Sequence, residues 1–203
     1  MFESISFIGS GRIARIMLGG WQKAYAMPRN VVAFDTNPAA IQALQNDFPT
    51  LRAVTLAEAA GADLVFAAVH PPAMSEMLAS IAGQLKAEAI LCSLAPKIKL
   101  AALSDKLGGF SRLARMNPNS PSIVGQGYNP IAFAGDLPLV AREQLQALLE
   151  PLGQAPEVDE NRLEAYAVIS AMGPTYFGFQ FCELEKLANS FGLAPTAARE
   201  AIQ

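Results

Sequence analysis

Short apolar runs alternate along this chain with segments of helical periodicity, and that alternation leaves few architectures open. Ile5-Ser6-Phe7-Ile8 and residues 31–34, 64–69, 89–93 and 112–116 read as strands. The run at 64–69 is apolar throughout up to its last residue, as expected of a parallel strand covered on both faces. Between the strands, Ile13, Ile16, Met17 and Gly20 recur at helical spacing. Pro38 suits the first turn of the next helix, with Asn37 as its N-cap and Ile41 and Leu44 facing inward. Residues 74–81 and 98–107 are helical in pattern. This order predicts an α/β fold, a doubly wound Rossmann sheet.

Residues 116–135 break the alternation. They carry no charge and three prolines, which predicts a long loop with a short strand near residues 131–133. A helix over residues 139–149 follows, stopped by Pro151 and Gly153. From Asn161 the chain turns almost wholly helical, so we expect a dinucleotide-binding domain over residues 1–158 and a helical region over 159–203. Ser170-Ala171-Met172-Gly173-Pro174 predicts a break in that helix. Beyond it, Tyr176, Phe177, Phe181, Leu184, Leu187 and Phe191 form an apolar face too broad for one helix to hide, which predicts a homodimer or higher homo-oligomer. The final residues open a helix without a C-cap, so a longer natural chain is expected.

Composition removes several function classes. Apolar residues make up 52% of the 203 positions, enough to exclude a disordered chain. A net charge of −3 without clustered Lys or Arg argues against a nucleic-acid partner. Cys92 and Cys182 are too few for a disulfide framework, and with His70 alone they make no metal site. The uncharged stretch at residues 165–182 has the length of a membrane span, but Ser170, Gly173-Pro174, Thr175 and Gln180 suit a kinked helix buried against a partner. The start Met1-Phe2-Glu3-Ser4 lacks the positive region of a signal peptide, and a cytoplasmic, membrane-free location is expected.

The chemistry-bearing residues gather where strands end. Gly9-Ser10-Gly11-Arg12-Ile13-Ala14 follows a strand and opens a helix, the setting in which G-x-G-x-x-A marks a dinucleotide site. Gly9 permits the tight turn, Gly11 lets a pyrophosphate approach the backbone, and Ala14 lets helix and strand pack closely. A turn of the same shape without a nucleotide is the alternative. Asp35 ends the second strand, where an acid bonds the adenine ribose hydroxyls; with no Lys or Arg just after it, NAD(H) is favoured over NADP(H). As the competing reading, Asp35 is a turn residue ahead of Pro38. His70, with Val69 and Pro71, lies at the carboxyl end of another strand, where it either helps hold the cofactor or is structural. Asn117 and Asn119 offer uncharged amides to a carboxamide, a ribose or a substrate; their alternative role is in turns of a proline-stiffened loop. Cys92 reads as core, and no catalytic residue is singled out.

Taken together, these pieces resemble the pyrroline-5-carboxylate reductase family over nearly the whole chain. Phe7-Ile8-Gly9-Ser10-Gly11-Arg12-Ile13-Ala14 is similar to its nucleotide fingerprint, and Ala68-Val69-His70-Pro71 to its Ala-Val-Lys-Pro. Arg115-Met116-Asn117-Pro118-Asn119-Ser120-Pro121 with Val124-Gly125-Gln126-Gly127 resembles its Arg-Val-Met-Pro-Asn-Thr-Pro and Gly-Glu-Gly segments. Asp159-Glu160 and Ser170-Ala171-Met172-Gly173-Pro174-Thr175-Tyr176 resemble its linker acid and its Ser-Gly-Ser-Gly-Pro-Ala-Tyr helix entry. The resemblance implies NAD(P)H-dependent hydride transfer to a cyclic imine, giving proline, and a helical domain that interleaves with a second subunit. It also implies substrate contacts at Asn119, Ser170 and Gly173. The chain departs from the family at His70, Asn117 and Ala171-Met172, lacks an Arg after the second strand, and ends before the family's Ser-Pro-Gly-Gly-Thr-Thr loop. A non-catalytic, dimerising nucleotide-binding module and a related oxidoreductase with another substrate are the alternatives.

Overall fold

The computed structural model describes residues 2–202. Strands β1 (Ile5–Ile8), β2 (Val31–Phe34), β3 (Arg52–Ala53), β4 (Leu64–Ala67), β5 (Ile90–Ser93) and β6 (Leu113–Met116) alternate with helices α1 (Arg12–Lys23), α2 (Pro38–Asp47), α3 (Leu56–Ala60), α4 (Pro71–Ile81) and α5 (Leu100–Lys106). Then come β7 (Gly127–Tyr128), β8 (Ile131–Phe133), α6 (Leu139–Leu149) and β9 (Gly153–Gln154). The main sheet runs β3-β2-β1-β4-β5-β6-β8, parallel except for β8, which pairs antiparallel with β6. The expected α/β doubly wound sheet is therefore the fold.

The sheet is buried on both faces, which explains why its central strands are almost wholly apolar, Ser6 and Ser93 excepted. On one face Phe7 stacks on Phe66 with centroids 5.1 Å apart, and Trp21 packs beside them while its indole N–H donates to Leu148 O at 2.9 Å. On the other, Val65 and Leu91 meet Met74, Leu78 and Leu103. Burying such side chains contributes about 1.5–3 kcal/mol each. The buried residues of α1 are Ala14, Met17, Leu18, Gly20 and Trp21; Met17 and Gly20 are buried as expected, whereas Ile13 and Ile16 are only half-buried. At Gly20 a Cβ would lie 2.3 Å from Ser122 O, so this edge of α1 rests on the backbone of a 3₁₀ turn at Ser120–Val124.

Several elements have no counterpart in the sequence reading. Strand β3 is two exposed residues, and α3 is started by a capping box in which Thr55 Oγ1 accepts from Glu58 N while Glu58 accepts from Thr55 N. Within the expected loop, the strand at Ile131–Phe133 forms as read, and β7 additionally pairs with β9.

The chain divides into two compact units, the first ending at Glu164 and the second running from Ala165. The sequence reading set its division at Val158. The stretch just after Val158 stays with the first unit because Leu163 is buried and Glu160 and Glu164 bond Arg115. The second unit continues α7 (Leu163–Ala167) through a π-helical turn at Val168–Met172 into α8 (Gly173–Ser190), followed by α9 (Pro195–Ile202). The break expected at Ser170–Pro174 is thus corrected: the helix widens and continues. Pro174 has no N–H and its ring crowds the carbonyl four residues back, and a π turn absorbs both problems without ending the helix. Thr175 Oγ1 satisfies Met172 O at 2.6 Å in the same turn. Among the described residues no helix is long and apolar enough to cross a membrane.

Candidate functional site

The parallel strands deliver their chemistry-bearing residues to the carboxyl edge of the sheet. β1 runs into Gly9, whose φ of +105° is one that side-chain-bearing residues rarely adopt. A Cβ on Gly9 would also lie 2.7 Å from Ala68 O and 3.1 Å from Val69 N, so this turn is pressed against the chain leaving β4. Gly11 caps α1 without a side chain, and a Cβ there would meet nothing within 4 Å. Packing inside this chain therefore demands glycine at position 9 but not at position 11. The open space at Gly11 and the unsatisfied N–H groups of the first turn of α1, from Arg12 and Ile13 onward, fit a pyrophosphate. Ala14 is fully buried, which brings α1 close to the sheet as expected.

Beside this turn, Asp35 follows directly on β2. Its Oδ2 accepts from both the backbone N–H and the hydroxyl of Ser10, each at 2.8 Å, and its Oδ1 accepts from Asn37 N at 2.9 Å. Burial pushes the Asp35 carboxyl up, but hydrogen bonds from Ser10, Asn37 and Thr36 outweigh it and hold the group below the ordinary carboxylate range. Asn37 caps α2, accepting from Ala39 N at 3.0 Å, as the sequence indicated. Asp35 thus links the glycine turn to the β2–α2 turn, and both readings of it, ribose acceptor and turn residue, find support in its position.

Val69 lies beside the glycine turn, and the exposed His70 is the N-cap position of α4 ahead of Pro71, with no side-chain cap hydrogen bond. Asn117 and Asn119 stand differently from the expectation. Both are buried: Asn117 Nδ2 donates to Leu163 O at 3.0 Å, and Asn119 Oδ1 accepts from Tyr128 N at 3.1 Å. Their amides hold the loop and the chain at Leu163 in place, because a proline-rich segment without regular pairing must satisfy its backbone through side chains. Ser170 and Gly173 belong to the second unit; Ser170 Oγ donates to Tyr166 O at 2.8 Å inside the π-turn region, and Gly173 begins α8. Among the described residues no group of His, Cys, Asp or Glu is arranged to hold a metal.

One cluster escaped the sequence reading. Arg115, in β6, is 1% exposed; its guanidinium donates to Glu160 Oε1 at 2.9 Å and to Glu164 Oε1 at 2.6 Å. Glu160 also accepts from Leu100 N at 2.6 Å and Glu164 from Lys97 N at 3.1 Å. Burial pushes the Glu164 carboxyl up, but Arg115 and the Lys97 N–H prevail and hold it below the ordinary range. The signal was present: an arginine inside the strand Leu113-Ala114-Arg115-Met116 demands a buried acid.

A family model described as NADP oxidoreductase, coenzyme F420-dependent, matches residues 4–97. Pyrroline-5-carboxylate reductase of Pseudomonas aeruginosa is 29% identical over 202 residues, covering 98% of this chain and 74% of that protein. The enzyme of the same name from Corynebacterium melassecola is 27% identical over 201 residues, covering 97% and 74%. Among solved structures, a pyrroline-5-carboxylate reductase from Coxiella burnetii superposes with a TM-score of 0.83 at 22% identity, covering 98% of this chain and 75% of that one. Plasmodium falciparum pyrroline carboxylate reductase, solved with NADP bound, gives a TM-score of 0.82 at 19% identity, covering 98% and 74%. At these identities the structural likeness speaks for the fold.

Proposed function

Since the chain belongs to the pyrroline-5-carboxylate reductase family, we propose that it binds a nicotinamide dinucleotide at the Gly9–Ile13 turn and serves NAD(P)H-dependent reduction of a cyclic imine, pyrroline-5-carboxylate to proline. The observation that carries this reading is the glycine turn: Gly9 locked against Ala68, Gly11 facing open space, and Asp35 fixed beside them. A bound reduced nicotinamide would supply the hydride for the imine carbon, with the proton at nitrogen coming from water. The chain's own part is binding and orientation. Gly11 and the first turn of α1 accept the pyrophosphate, Asp35 meets the ribose, and Val69, His70 and Pro71 flank the cofactor along the carboxyl edge. Asn117 and Asn119 act through the loop they hold together. Within the second unit, substrate contacts are assigned to Ser170 and Gly173, and self-association to the aromatic face of α8.

The test pairs binding with turnover. Titration with NADH and NADPH should show saturable binding that Gly11→Val abolishes, and added pyrroline-5-carboxylate should oxidise the bound cofactor. Binding without turnover of this or a related cyclic imine would favour the second reading, a non-catalytic nucleotide-binding module. Ala171 and Met172 in place of the family's Gly-Ser are the observation on its side. Absence of binding would refute both.

A further inference from the structure

We propose that Ser10 is a positioning residue: by committing its hydroxyl proton and its backbone N–H to Asp35, it makes the Ser10–Asp35 pair at the carboxyl end of β2 an acceptor-only surface that admits an unmodified adenine ribose and rejects a 2′-phosphate. This selectivity rests on the dinucleotide site proposed above.

The chemistry follows from counting protons. A serine hydroxyl has one proton and two lone pairs. Here the proton points to Asp35 Oδ2 at 2.8 Å, and the Ser10 N–H reaches the same oxygen at 2.8 Å. What Ser10 Oγ has left to offer is lone pairs. Asp35 is held below its ordinary range despite burial, so at neutral pH it is ionised and also accepts only. Ribose hydroxyls are donors and match such a surface. A phosphate monoester at neutral pH is mostly dianionic and brings acceptors and like charge.

The usual remedy for a 2′-phosphate is a nearby cation, and this turn lacks one. Residues 35–50 contain neither Lys nor Arg. Arg15 is engaged by Asp47, and Arg52 donates to Asn30 Oδ1. Among the described residues no ion pair involves Asp35. Arg12, at the first position of α1 and exposed, directly follows the glycine turn, and Arg29 precedes β2. An acidic residue at the end of the second strand is a general device. The addition here is the hydroxyl that orients it: Ser10 and Asp35 are two parts of one selector.

The experiment uses the full chain and two probes without a nicotinamide, ADP-ribose and 2′-phospho-ADP-ribose, with calorimetric Kd values as the readout. We expect ADP-ribose to bind at least about tenfold more tightly, about 1.4 kcal/mol. Asp35→Asn should bring the two ligands within about threefold of each other, and Ser10→Ala should narrow the ratio part of the way. Adding Ser10→Ala to Asp35→Asn should change nothing further, the non-additivity that action through Asp35 requires. Circular dichroism establishes that each variant is folded. An unchanged ratio in folded Ser10→Ala overturns the role of the serine. Tighter binding of the 2′-phosphate overturns the selector, and its selective loss in Arg12→Gln would show that Arg12 grips the phosphate instead. If neither probe nor intact NADH binds, the dinucleotide reading itself falls.

Discussion

The Arg115 cluster gives the sharpest stability prediction, because its three members differ in burial. The Arg115 side chain is 1% exposed, whereas those of Glu160 and Glu164 are 22% and 39% exposed. Removing the acids strands a guanidinium with no access to water, whereas removing the arginine leaves two carboxylates that water can reach. The guanidinium's Nε already lacks a partner among the described residues, so it has no reserve. In Glu160→Gln with Glu164→Gln, each amide oxygen can still accept from Leu100 N and Lys97 N, so the change isolates charge. Stranding a buried charge costs about 3–5 kcal/mol, or roughly 6–20 °C in Tm at about 2–4 °C per kcal/mol for a domain of this size. Arg115→Met, which fills the space and leaves the acids to hydrate, should cost less, about 1–2 kcal/mol. Chemical denaturation and calorimetry decide the order. If Arg115→Met is as damaging as the double glutamine variant, the guanidinium is not the costly partner and the reasoning fails.

The same cluster fixes a pH dependence: the folded Glu164 pKa is depressed, so its stabilisation is present above the unfolded carboxylate value and is lost as pH falls through the folded one; denaturation midpoints should drop below about pH 4.5, less so in Glu164→Gln. Gly9→Ala should destabilise by about 2 kcal/mol or more through its positive φ and the contact with Ala68 O, whereas Gly11→Val should keep the wild-type Tm and lose dinucleotide binding. Burial pushes the Cys92 thiol up, so iodoacetamide at pH 8 should label Cys182 alone in native protein, and both cysteines after unfolding, by mass spectrometry. Tyr176, Phe177, Phe181 and Phe191 are each more than half exposed, so the chain should self-associate at micromolar concentration and Phe177→Glu with Phe181→Glu should abolish this; a wild-type monomer in sedimentation would refute the interface.

Much of the frame was legible because a strand buried on both faces is largely apolar: β2 and β4 are wholly so, and β1, β5 and β6 each carry a single polar residue, Ser6, Ser93 and Arg115. β3 was not, since Arg52 and Ala53 are exposed and paired along one edge only. On α1, Met17 and Gly20 were legible as buried, but the contact that buries Gly20, Ser122, lies far away in sequence. The π turn hid behind Pro174, since a proline reports a disturbed helix but not whether the disturbance ends it. At the candidate site, Gly9, Gly11 and Asp35 could be placed because strand, turn and helix fix them locally. Asn117 and Asn119 looked available because an amide's partners are set by tertiary neighbours such as Leu163 and Tyr128.

Arg115 and Asp35, both in the first unit, make opposite use of the same physics. Arg115 is a cation placed where water cannot reach, so its energy depends on protein acids alone, and changes there should appear in unfolding. Asp35 is an anion at a part-buried edge, held by N–H and O–H donors, and among the described residues no ion pair involves it. Hydrogen-bond donors stabilise the ionised form without cancelling its field, which is what a group must do to repel a phosphate at its surface. Asp35→Asn should therefore separate the two quantities that Arg115 variants do not. Its ligand preference should fall from about tenfold to within about threefold, while its Tm stays within a few degrees, since the carboxamide oxygen can still accept from Ser10 or Asn37. A collapse in Tm together with an unchanged preference would make Asp35 a turn residue and nothing more.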